Sequence, residues 1–275
     1  MQGFELLQQP SVWENLIVFW KFEDINAIWV LVGGILLGMS ASVIGGFAFL
    51  RKRSLIGDAL AHAALPGIMM AFLLFQTRDP LIMFFGAITS SFIGFFLIDW
   101  LPKNTKIKPD AALAITLSFF FAIGLMLLSY IQGLAVPNKS GLDKILFGQA
   151  AAMTRDDINL LAFVAIIILT SVALMFHKLR LITLDRGYAK TLGINVAAYE
   201  LLLSILIVLS VVIGLQLVGV VLMAAVLLTP IAAARYWSDQ LRTVLILSAL
   251  IGSFSALIST QVSYIAPAMP TGPWM

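Results

Sequence analysis

Cysteine is absent from the 275 residues. Its absence excludes disulfides, zinc–thiolate centres and iron–sulfur clusters, but says nothing about compartment. Charge is scarce as well. Only 11% of residues are Asp, Glu, Lys or Arg, against about a quarter in soluble domains. Histidine occurs twice, at His62 and His177. No GxxxxGK[ST] loop is present, so this chain does not itself bind ATP through such a loop. No Ser–His–Asp set or acid pair points to catalysis. The N-terminal stretch MQGFELLQQPSVWENLIVFW lacks a basic region and does not read as a cleavable signal peptide.

What is abundant is apolar: 61% of the chain is hydrophobic. Such a composition calls for a bilayer as solvent, in one polytopic domain covering residues 1–275. The net charge of +3 does not indicate nucleic acid, because the basic residues fall in short loops between apolar runs.

A bilayer core of about 30 Å needs about 20 helical residues. The chain predicts an all-α protein with about eight spans. The first five are Ile25 to Leu50, Leu55 to Gln76, Pro80 to Ile98, Ala111 to Gln132 and Ile158 to Phe176. Leu201 to Ala234 carries no charge over 34 residues, roughly 51 Å of helix and too long for one crossing. A split near Gln216 to Gly219 gives spans six and seven, and Thr243 to Ile265 is the eighth. Residues 1–24 read as an external segment with an interfacial helix over Ser11 to Phe22, carrying Trp13 and Trp20. Gly133 to Arg155 reads as an amphipathic connector or a short re-entrant helix.

The basic residues orient the chain. With Arg51, Lys52 and Arg53 inside, that side also holds Lys103, Lys106, Lys108, Lys178, Arg180, Arg186, Lys190, Arg235 and Arg242. The other side holds only Lys21, Arg78, Lys139, Lys144 and Arg155. The positive-inside rule therefore puts the N-terminus outside a cell membrane.

Asp58 and His62 break the apolar pattern of span two. Four residues apart, they share one helix face. An acid at a span centre costs about 2.5–3.5 kcal/mol, so this face should meet protein or a water-filled path. Three readings fit the pair: a structural ion pair, a proton relay, or a transient site for a divalent metal. Two ligands leave a coordination sphere incomplete, and a homodimer would supply two of each. Asp58 follows Arg53 by five residues, which sets the pair toward the inside unless the helix reaches back through that loop. Pro66 lies one turn beyond His62 and Pro230 lies in span seven; each is a kink, with gating as the alternative.

The longest inside loop, residues 178–199, contains DRGYAKTLGI. It reads as a short helix stopped by Gly193, offering Asp185, Arg186, Tyr188 and Lys190 to a partner, or else as a solvated connector. In span one, Gly34 and Gly38 form a small-xxx-small pair, and SASVIGG continues that face, predicting tight packing of spans one and two. His177, Asp99 and Trp100 read as interfacial residues, and the scattered methionines as packing.

RKRSLIGDALAHAALPGI, DRGYAKTLGI and LQLVGVVLMAAVLLTPIAAARYW together resemble the permease subunit of ABC importers for manganese, zinc and iron, over nearly the whole chain. The resemblance implies a homodimer or pseudodimer of permeases, two cytoplasmic ATPase subunits that bind ATP, and an extracytoplasmic metal-binding delivery protein. It implies that Asp58 and His62 bind the metal in transit, with no tightly held cofactor. It also implies that Asp185, Arg186, Gly187, Tyr188, Lys190 and Gly193 belong to a coupling helix, and that Pro230 kinks a late helix. The HAALPG form favours Mn(II), with Zn(II) or Fe(II) as alternatives; a proton-coupled secondary carrier is the other class considered. Relatives commonly continue past a TGP-like stretch into a last apolar helix, whereas this sequence stops at PTGPWM.

Overall fold

A computed structural model describes residues 12–21, 24–51, 55–137, 139, 141–142, 148 and 153–265. Among them are ten helices and no strand: α1 Val12–Trp20, α2 Ile25–Leu50, α3 Ile56–Phe75, α4 Pro80–Asn104, α5 Pro109–Gly133, α6 Arg155–Leu184, α7 Arg186–Thr191, α8 Val196–Val218, α9 Val220–Arg235 and α10 Leu241–Ile265. Seven of these are long and apolar enough to cross a membrane. The remaining apolar helix, α9, has 16 residues, about 24 Å of rise. It completes the expected set of eight apolar segments as a shorter one.

Local chemistry sets the helix starts. Asp24 caps α2 by accepting from the Asn26 backbone N–H at 2.9 Å. Asp79 accepts from Leu81 N–H at 2.9 Å, and Pro80 takes the first helical position of α4, where no donor is needed. Thr154 and Asp157 form a reciprocal capping box at α6. The expected split of the long apolar run falls at Gly219, whose φ of 84° and ψ of 170° favour a residue without Cβ.

Two spans run further than expected. α4 continues to Asn104, and α6 continues to Leu184, so Lys178 and Arg180 are helical rather than loop residues, and His177 lies within α6 as well. Thirty residues make α6 about 45 Å long, beyond the hydrocarbon core, so its last turns stand clear of it. The interval 178–199 is therefore mostly ordered: the end of α6, then α7, then the start of α8. These pieces share a small apolar cluster of Ile182, Ala189 and Val196, separate from the main core.

Helices α2, α3 and α8 form the interior, with 67%, 61% and 56% of their apolar windows buried against 33% for α4, α5, α6 and α10. The small face of α2 does not meet α3. Gly38 abuts the Gly252 backbone of α10, and Gly45 abuts the Leu227 backbone of α9. Hydrogen stands in place of Cβ on both helices at Gly38–Gly252 and on α2 alone at Gly45, and contact this close leaves no room for a Cβ at these glycines. α3 instead packs on α4, α5 and α9. At the N-terminus, α1 is the expected short helix, with Trp13 and Trp20 exposed and Phe19 buried against Tyr264 of α10, ring centroids 5.5 Å apart. In the connector from Gly133 to Arg155, residues 138, 140, 143–147 and 149–152 lie outside the described residues; within it, Gly148 meets the Leu217–Gly219 backbone at the α8–α9 break.

Candidate metal-binding site

The face of α3 carrying Asp58 and His62 is locked on both sides. Gly57 packs on Leu227 and Ala224 of α9, while Ala63 packs on Gly94 of α4. Ser91 of α4 donates to the Leu60 carbonyl at 3.2 Å. Within this clamp, His62 Nε2 stands 3.4 Å from Asp58 Oδ1. The imidazole is nearly enclosed, with 12% of its side chain exposed, whereas the carboxylate keeps 30%. Asp58 thus opens to the protomer surface in a part of the chain where acids are costly.

A residue that sequence reasoning missed orients the ring. Phe121 of α5 meets His62 edge to face, with centroids 4.6 Å apart and planes at 72°. Three residues on, Gly124 lets α5 lie against Leu65 and Pro66. Phe121 sits in an aromatic run of a lipid-crossing helix, where nothing in the pattern separates a site residue from a lipid-facing one. His62 Nδ1 is buried without a hydrogen-bond partner among the described residues. Pro66 has no N–H to offer the His62 carbonyl four residues earlier, so that oxygen loses its helical donor at the site.

Depth follows from Leu227, which touches both Gly45 of α2 and Gly57 of α3. Gly45 precedes the end of α2 at Leu50 by five residues, about 8 Å. The pair therefore lies nearer the end bearing Arg51 than the midplane, and His62 is about 6 Å deeper than Asp58. No third His, Cys, Asp or Glu joins the two among the described residues. One oxygen and one nitrogen suit a borderline or hard divalent ion, but cannot enclose one.

A separate cavity of about 390 Å³ lies toward the opposite end, between α3, α4, α6 and α8. Arg78, Asp156, Asp157 and Ile68 are in its wall, but neither Asp58 nor His62 is. Ile68 lies about 120° around α3 from His62, so this cavity and the pair occupy different sides of the helix.

The expected coupling stretch forms a helix of six residues. Asp185 caps it, accepting from Tyr188 N–H at 3.0 Å. Gly193 ends it at φ 73°. Ala189 is its buried anchor, while Tyr188 and Leu192 are 55% and 53% exposed on the outside. Arg186 pairs with Glu200 at 2.8 Å. Gly187 and Lys190 are exposed. Pro66 and Pro230 are buried inside α3 and α9.

The sequence profile of the ABC 3 transport family matches residues 24–275. The chain belongs to the ABC 3 transport family. Its relatives in that family include the manganese transport system membrane protein MntC of Bacillus subtilis, 45% identical over 255 residues, covering 93% of this chain and 59% of that protein. The chain thus spans about three-fifths of that relative's length. The zinc transport system membrane protein TroC of Treponema pallidum is 38% identical over 252 residues, covering 92% of this chain and 85% of TroC. Among solved structures, PsaBC from Streptococcus pneumoniae in complex with Fab superposes with a TM-score of 0.83 at 31% identity, covering 96% of this chain and 91% of that one. ABC 3 family membership and the seven long apolar helices together make this a multi-pass membrane protein.

Proposed function

We propose that the chain is the membrane-spanning permease of an ATP-driven importer of divalent transition-metal ions, with Mn(II) as cargo. The observation that carries this reading is the Asp58–His62 pair. It is a two-ligand set, held rigidly on α3, open on the carboxylate side and unsupported by any third ligand among the described residues. A second copy facing it supplies the missing two ligands. Four such ligands hold a cation while leaving room for water, and so bind weakly enough for release. Both groups must be deprotonated to coordinate. Relatives named for manganese and for zinc support the cargo class, and the larger identity to a manganese protein favours Mn(II).

The basic face is then cytoplasmic, and α7 seats in a separate ATPase subunit through Tyr188 and Leu192, where ATP is bound. An extracytoplasmic metal-binding protein delivers the ion to the opposite face. The permease itself performs no covalent chemistry.

The test is Mn(II) accumulation by proteoliposomes holding this chain with and without its ATPase. Accumulation only with the ATPase and ATP supports the reading. Accumulation by the permease alone, driven by a proton gradient, would replace it with a secondary carrier.

A further inference from the structure

The cavity of about 390 Å³ at the end opposite Arg51 is charged at its mouth and apolar below. Arg78, from the loop between α3 and α4, and Asp156, in the first turn of α6, stand at the mouth, and both are exposed. The deeper walls are Ile68 of α3, Phe84 of α4, and Val212 and Leu215 of α8, all buried. Ile68 lies seven residues before the end of α3 at Phe75, and Ala87, another wall residue, lies seven after the start of α4 at Pro80. Each interval is about 10 Å of helix, so the apolar part reaches about 10 Å below the charged rim.

Packing turns this cavity toward the bilayer. Its back is formed by α3 and α8, which are interior helices. Its sides are α4 and α6, which lie at the periphery, with only 33% of each apolar window buried. α4 packs on α3, α5 and α8, α6 packs on α2 and α8, and the two scarcely touch each other. The Asp58–His62 pair lies on a different side of α3. Water suits the rim but not the depth, because a bound water needs about two to four polar partners and the deep side chains carry no hydrogen-bonding atom. The volume falls in the range of about 300–1,000 Å³ of small-molecule sites. Charges of both signs above a hydrocarbon wall, near the ends of membrane-crossing helices, match a phospholipid with a zwitterionic head.

We propose that this cavity holds a phospholipid with an ammonium-bearing head, its ammonium on Asp156, its phosphate on Arg78 and part of an acyl chain against Ile68, Phe84, Val212 and Leu215. Asp157 is committed to the Thr154 cap, which leaves Asp156 as the acid for the ammonium. Arg78 makes other contacts, and the five donors of a guanidinium can hold a phosphate oxygen beside them. The proposal goes beyond the permease reading and does not depend on the cargo.

The test uses the full chain purified in detergent, with dioleoyl phosphatidylethanolamine and dioleoyl phosphatidylglycerol as probes. Native mass spectrometry reads retained lipid, and thermal unfolding reads its effect. Wild type is expected to retain a single phosphatidylethanolamine, about tenfold more tightly than phosphatidylglycerol, which lacks the ammonium, and to unfold at a higher midpoint with it. Asp156→Asn should erase that preference. Ala87→Leu fills the cavity and should lower retention of both lipids, with no fall in the midpoint in lipid-free detergent. Asp156 is exposed, so its variant carries the test if Ala87→Leu unfolds. Equal retention of the two lipids by wild type overturns the proposal, as does a preference that survives Asp156→Asn. Retention of neither lipid overturns it too, and is the result expected if the cavity receives a segment of a docking protein instead. None of these outcomes bears on Mn(II) transport, so the permease reading stands or falls separately.

Discussion

His62 Nε2 lies 3.4 Å from Asp58 Oδ1 on the same face of α3, one helical turn apart. Under the proposed permease reading, a carboxylate and an imidazole this close form half of a cation site. Around them the helix is pressed against α4, α5 and α9 through glycine and alanine contacts, so the pair has little freedom to rearrange.

The ring orientation of His62 depends on Phe121, whose centroid is 4.6 Å away. Replacing Phe121 with Ala is expected to weaken Mn(II) binding by about 10–100-fold, the range for losing a group that orients a metal ligand. Titration calorimetry of the purified permease checks it. Unchanged affinity would show that the ring is held by α3 alone.

The expected spans matched the observed helices closely where charge changed sharply. Ile25–Leu50 is an uncharged run between Asp24 and Arg51, and α2 occupies that run. The same logic stopped short at α6. His177, Lys178 and Arg180 look like a span end, yet the backbone continues as a helix to Leu184 because a helix need not end where the hydrocarbon does. The break at Gly219 was legible from length alone. Helix partners were not: α2 and α3 are consecutive and both carry small residues, but Gly34, Gly38, Gly45 and Gly46 of α2 face α9 and α10, and Gly33 faces α6 and α8. Asp58 and His62 stood out because lipid makes them costly. Phe121 and Glu200 did not, since an aromatic in a span and an acid near a helix start are both ordinary.

The α2–α10 crossing sets a second expectation. A methyl at Gly38 would collide with the Gly252 backbone, which has no flexible end to yield. Gly38→Ala should destabilise the protein by about 1–3 kcal/mol, read as a lowered midpoint of thermal unfolding in detergent. Gly133→Ala is the control, because a Cβ there meets nothing within 4 Å.

At the α8–α9 break, Gly219 holds φ 84° and ψ 170°. Gly219→Ala should cost about 1–3 kcal/mol and show the same lowered unfolding midpoint. An unaltered midpoint would mean that the break tolerates a different backbone path.

On α7, the exposed and buried faces should respond differently. Tyr188→Ala and Leu192→Ala remove outward apolar area, and are expected to abolish ATPase co-purification while leaving the thermal midpoint of the permease in place. Ala189→Glu puts an unpaired charge at the fully buried anchor of the helix and should lower the midpoint itself.

The most direct measurement is Mn(II) uptake by proteoliposomes holding the full importer, with Asp58→Ala and His62→Ala compared with wild type. Each substitution removes a proposed ligand outright, so each should reduce uptake by more than the roughly 10–100-fold attached to orienting groups, with expression and ATPase assembly intact. Wild-type uptake by the variant lacking both side chains would contradict the account.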